Sequence, residues 1–160
     1  MISLHDAVKV FLASERIAIA GVSRNPSQPA NTIYRKLKTA GHQVFAINPN
    51  AEMVEGDPCY ASLASVPGGL DAVVIVTRPQ ITLEIVRQCK KLGIRWVWMH
   101  RSFGKGSVSA EAVRFCREND ILVIDGACPM MFCQPVDFAH LCMRTILGWF
   151  GRMPRIQQDP

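Results

Sequence analysis

Short apolar runs alternate with amphipathic stretches along this chain, and the alternation predicts most of its elements. Leu4, Val8, Phe11 and Leu12 share one face at helical spacing behind Ser3, a good N-cap, so a helix is predicted over residues 4–13. A short apolar strand follows at 17–20. Ala30, Ile33 and Leu37 then mark the inward face of a helix over 29–40, with Gly41 as its stop. A second strand is predicted at 43–47, a short third one at 58–60, and a single helical turn near 62–64. Residues 72–76 form a β-branched run, as expected of a central parallel strand covered on both faces. After it come a helix over 80–92 stopped by Gly93, a strand at 96–99, a helix over 109–119, a strand at 121–124 and a last helix over 136–150.

Strands that alternate with helices imply a parallel sheet joined by right-handed crossovers. The simplest arrangement is a doubly wound, mainly parallel sheet of the Rossmann type, with five or six strands and helices on both faces. Its switch point falls between the 17–20 strand and the 72–76 strand. Ligands of such sheets bind outside the carboxyl ends of the strands at that point. The loops of interest are therefore GVSRNPSQP, INPN, VTRP and MHRSFGKG.

Composition narrows the class. The 160 residues, 49% hydrophobic, carry no linker, repeat or low-complexity segment, so one domain over 1–160 is expected. No apolar run approaches the roughly 20 residues of a membrane span, nor the uninterrupted core of a signal peptide. A soluble cytoplasmic protein without membrane partners is expected. The six cysteines fit that compartment as reduced thiols, since a core of this size needs no staples. The net charge of +5 is spread over scattered bases, without the basic runs or interleaved aromatics of a nucleic-acid surface, so no nucleic-acid partner is expected.

The exception to that scatter is the set of loops at the strand ends. Arg24, Arg78, Arg101 and Lys105 lie in them, and acidic residues do not. Arginines facing a helix N-terminus suit a ligand with several phosphates. Gly21 permits close backbone approach, Ser23 offers a hydroxyl, and Arg24 and Asn25 are placed to close over an anion. A dinucleotide site would show three spaced glycines and an acidic residue ending the second strand. Here the first loop has one glycine, and the strand ends in Asn48 and Pro49. That pattern suits an adenine lined by backbone and ring better than a gripped ribose diol, and it counts against NAD. Thr77, Arg78 and Pro79 close the central strand and open a helix, with the backbone of Val76 and Thr77 facing the crevice.

The segments GVSRNPSQPA, AGHQVFAINPNAEMVEGDPCYASLASVP, LDAVVIVTRP, LGIRWVWMH and ILVIDGACP resemble the small stand-alone CoA-binding domain proteins. They are similar also to the CoA-binding domain of the succinyl-CoA synthetase α subunit. The resemblance covers roughly residues 5–130 and rests on G-x-S-x-x-P after the first strand, the Asn-Pro ending of the second, and Gly56, Tyr60, Ser62 and Leu63. It implies a CoA or acyl-CoA ligand across the strand ends. Gly21, Ser23, Arg24 and Asn25 would meet the phosphates, Asn48 and Pro49 would flank the adenosine, and Val76, Thr77, Arg78 and Pro79 would line the path toward pantetheine. The lysine that the synthetases carry after the second strand is replaced by Asn50 and Ala51, and their phosphohistidine has no counterpart here. Synthetase activity is therefore not implied. The implied role is a binding module, sensor or carrier.

The remaining chemistry lies toward the C-terminus. Cys128, Cys133, His140 and Cys142 follow the spacing C-x4-C-x6-H-x-C, which fits no common zinc site, so no metal is expected. Cys128 follows the last strand at the ligand edge, and a thiol there offers the alternative of a CoA-linked thiol or acyl-transfer enzyme. An NAD(P)-dependent oxidoreductase is the other alternative, and no catalytic residue is assigned. His100 ends its strand near the crevice as a candidate acid or base without a carboxylate partner. The last helix, with Phe138, Leu141, Ile146 and Trp149, carries enough apolar surface either to dock on the sheet or to form a homodimer interface, and the pattern does not separate the two.

Overall fold

The computed structural model describes residues 2–154 and Ile156. Helix α1 (Leu4–Leu12) opens the chain, and Ser3 caps it by accepting from the Asp6 N–H. Then follow β1 (Arg16–Ala20), α2 (Pro29–Thr39), β2 (Gln43–Ile47), β3 (Met53–Val54), β4 (Asp57–Tyr60) and a 3-10 turn at Leu63–Ser65. The second half holds β5 (Ala72–Ile75), α3 (Pro79–Lys91), β6 (Trp96–Met99), α4 (Ala110–Glu118), β7 (Leu122–Asp125), a 3-10 turn at Pro129–Met131 and α5 (Phe138–Trp149).

The seven strands form one sheet in the order β3-β4-β2-β1-β5-β6-β7, parallel except for the β3–β4 pair. The predicted doubly wound α/β arrangement is thus present, with more strands than the five or six expected. The addition is β3, a two-residue strand too short to carry a period. It pairs with β4 across Glu55 and Gly56, both at positive φ (55° and 81°), the geometry of a two-residue hairpin turn.

Alternate residues along each strand feed two separate cores. On one face Ile17, Ile19, Val74, Trp98 and Ile124 meet α1, α2 and Leu147 of α5. On the other, Ala18, Val73, Ile75, Val97 and Met99 meet α3 and α4. Trp98 anchors the first core edge-on against Phe11, with ring centroids 5.3 Å apart, and donates its indole N–H to the Gly126 carbonyl at 2.8 Å. Its polar atom is thereby satisfied inside an apolar core. Only part of α5 docks: Leu147 is buried, whereas Phe138 and Trp149 are 81% and 87% exposed.

Candidate functional site

The switch point lies where expected. β1 pairs with β2 on one side and β5 on the other, so the loops after Ala20, Ile47 and Ile75 emerge side by side. Gly21 knots them together. Its N–H donates to the Ile47 carbonyl at 3.1 Å, while the Val76 N–H donates to the Ala20 carbonyl at 2.8 Å. Gly21 has φ +104°, and a Cβ there would stand 2.6 Å from the Val76 oxygen. The close approach that requires glycine is therefore made by the chain leaving β5.

Beyond Gly21 the loop is held by its own polar side chains. Asn31, 1% exposed on α2, accepts from the Ser23 N–H (2.9 Å) and donates both to the Ser23 carbonyl (2.7 Å) and to Glu55 (2.8 Å). Glu55 is also paired with Arg35 at 2.6 Å. Hydrogen bonds from Asn31 and Arg35 hold the Glu55 carboxyl below its ordinary range. Ser23 Oγ accepts from the Asn25 N–H, and Asn25 Oδ1 accepts from the backbone and side chain of Ser27. The Ser23 O–H and the Asn25 NH2 remain as donors. Arg24 is exposed and pairs with no acidic side chain among the described residues.

The neighbouring strand ends are similarly built. Asn48 donates its amide to the Val22 carbonyl at 2.7 Å and accepts from the Asn50 N–H at 2.8 Å, which ties the second loop to the first. Pro49 beside it is exposed. Thr77 presents its carbonyl to Ser107 Oγ at 2.7 Å. With the Val76 N–H taken by Ala20, these two backbone groups serve the scaffold. Arg78 caps α3 with extended backbone and no side-chain capping bond, and Pro79 takes the first turn. Its guanidinium is exposed.

Three further residues sit differently from their sequence placement. Arg101 does not face the β1–β5 crevice. Its guanidinium lies over Gly126, 3.0 Å from where a Cβ would be, beside Asp125 at the other end of the sheet. Cys128 is 3% exposed inside the α1–α2 core, and burial pushes its thiol up to about 11. A buried thiol held protonated is a poor nucleophile, which removes the support for the thiol-enzyme alternative. His100 is 9% exposed, with Nε2 3.1 Å from Ser102 Oγ, and burial lowers its pKa to about 4. The carboxylate partner belongs instead to His140, 2.7 Å from Asp137. All six cysteines are free, and among the described residues no three His, Cys, Asp or Glu side chains cluster as metal ligands.

Sequence reasoning missed Asn31 and Glu55. Their signal is faint: one asparagine on the buried face of α2, and a glutamate in a turn that needs positive φ.

Known proteins share this architecture. ADP-forming acetate–CoA ligase I of Archaeoglobus fulgidus is 30% identical over 73 residues, 46% of this chain and 11% of that protein. This chain spans about a tenth of the length of the curated Archaeoglobus ligases it matches. A hypothetical protein from Pyrococcus horikoshii OT3 superposes with a TM-score of 0.74 at 27% identity, over 81% of this chain and 88% of that one. The apo form of the dinucleotide-forming acetyl-coenzyme A synthetase 1 of Ca. Korarchaeum cryptofilum superposes with a TM-score of 0.63 at 29% identity, over 74% of this chain and 27% of that one. The family model described as CoA binding domain matches residues 15–134, which takes in β1 through β7 and every strand-end loop described above; the chain belongs to the CoA binding domain family.

Proposed function

We propose that this domain binds CoA or an acyl-CoA across the carboxyl ends of β1, β2 and β5, as a binding module, sensor or carrier. The observation that carries the reading is the pair of exposed guanidiniums, Arg24 and Arg78, on loops that leave adjacent strands at the switch point. Two cations without an acidic partner among the described residues suit the diphosphate and 3′-phosphate of CoA there. Ser23 and Asn25 add the donors left over from their loop bonds. Gly21 and Asn48 act by fixing the loops, Pro49 offers a ring to adenine, and Val76, Thr77 and Pro79 wall the path toward pantetheine. The relatives named acetate–CoA ligases support the same ligand. An NAD(P) oxidoreductase is disfavoured, because β2 is followed by Asn48 with both amide atoms engaged rather than by a carboxylate. The free thiols suit a reducing cytoplasm.

The exposed stripe Phe138, Leu141, Thr145 and Trp149 is nearly symmetric about the middle of α5, so a second copy packed antiparallel sets Phe138 against Trp149. A homodimer is accordingly part of the reading. Sedimentation velocity tests it: Trp149→Glu shifts the protein to monomer, and a wild type that is monomeric at all concentrations contradicts it.

A thermal-shift series with CoA, acetyl-CoA, NAD, NADP and ADP tests the ligand. At about 100 times its Kd a ligand stabilises by roughly 2.7 kcal/mol, or several degrees at roughly 2–4 °C per kcal/mol. CoA raises the midpoint and Arg24→Ala removes the effect. A shift with NADP and none with CoA overturns the reading.

A further inference from the structure

We infer that the chain carries a second anion site, for a small organic phosphate, at the end of the sheet remote from the switch point. An open cleft of about 670 Å³ lies between α4, the end of β7 and residues 151–154. Arg101, Arg114, Arg117 and Arg152 all line it, and Asp125 is the acidic residue in its wall. These arginines come from three separate parts of the chain, the loop after β6, α4 and the segment after α5. Arg114 reaches exposed Glu118 at 4.0 Å, a loose surface pair that leaves most of its donors free.

Beneath the cleft wall the Arg117–Asp125 pair is loose. Arg117 and Asp125 stand 3.8 Å apart, longer than a hydrogen bond. Arg117 Nε and Asp125 Oδ1 are both buried without a partner among the described residues. Asp125 in the wall and Glu118 beside Arg114 are set against four guanidiniums, an excess of two positive charges. The planar guanidinium fork fits a phosphoryl group in bidentate fashion. Size argues for more than the bare ion. The cleft falls in the range of organic-ligand pockets, and Val108, Val113, Met153 and Pro154 give it an apolar wall. A phosphoryl group on the arginines with an organic body against that wall uses both parts. The site is separate from the one proposed for CoA, since β5 and β6 lie between β1 and β7.

Titration calorimetry at fixed ionic strength, with inorganic phosphate and phenyl phosphate as probes, tests this on the whole chain. Phenyl phosphate binds in the presence of saturating CoA, and more tightly than inorganic phosphate. Arg114→Gln and Arg152→Gln, both at exposed positions that tolerate change, together weaken it about tenfold or more. Arg24→Ala leaves it unchanged. Arg117→Gln serves as a further variant if its thermal midpoint shows it folded. Absence of binding by either probe, competition with CoA, or loss of binding in Arg24→Ala overturns the inference. Equal binding of the two probes leaves the anion site but overturns the organic ligand.

Discussion

At the scale of single residues, Gly21 shows how a motif glycine reads correctly in place and differently in cause. The sequence marks a tight turn after the first strand, and the turn is there. The atom that excludes a side chain is the Val76 oxygen of the neighbouring strand. Gly21→Ala therefore combines a positive φ with a backbone clash, and is expected to cost about 1–3 kcal/mol or more in urea unfolding. An unchanged midpoint would contradict that geometry. Asn48 and Cys128 illustrate the same limit of sequence reading. An Asn-Pro corner predicts a strand end, yet only the fold shows the Asn48 amide spent on Val22. Cys128 follows the ligand edge in sequence, but its side chain turns into the core beside Met131.

At the scale of elements, apolar runs and helical faces were legible because burial imposes their periods directly. The β3–β4 hairpin was not, because its first strand has two residues and its turn is Glu-Gly rather than the usual Asn-Gly. That hairpin matters to the candidate site, since Glu55 braces Asn31, and Asn31 clasps both backbone groups of Ser23. The Glu55 carboxyl is held below its ordinary range by Asn31 and then Arg35, and Asp57 by Lys38 and then Tyr34. A depressed folded-state pKa gives stability that is complete above the unfolded value and is lost as pH falls through the folded one. Acidification below the ordinary carboxylate range should therefore loosen this corner. Glu55→Gln is expected to lower stability at neutral pH and to flatten the acid limb of the stability–pH curve. Denaturant midpoints measured from neutral pH downward check this, and a limb parallel to that of the wild type would contradict it.

At the scale of the whole molecule, the two cores and the parallel order follow from alternating strands and helices, which is why the fold class was readable without coordinates. Convergence of distant residues was not. Arg101, Arg117, Asp125 and Arg152 carry no local pattern; the packing of the β6 end, α4 and β7 gathers the first three, and residues 151–154 bring Arg152 to them. Against the scattered bases of the rest of the chain, arginines gather at the switch point (Arg24 and Arg78) and beside the β7 end. CoA is expected at the first of these. Amide chemical-shift mapping by NMR during a CoA titration tests it most directly. The expected result is a saturable set of shifts concentrated at residues 21–25, 48–50 and 76–80 (Pro49 and Pro79 have no amide), with the β7 end unaffected. Saturable shifts confined to Arg114, Arg117 and Arg152, or none anywhere, would contradict a CoA site at the switch point.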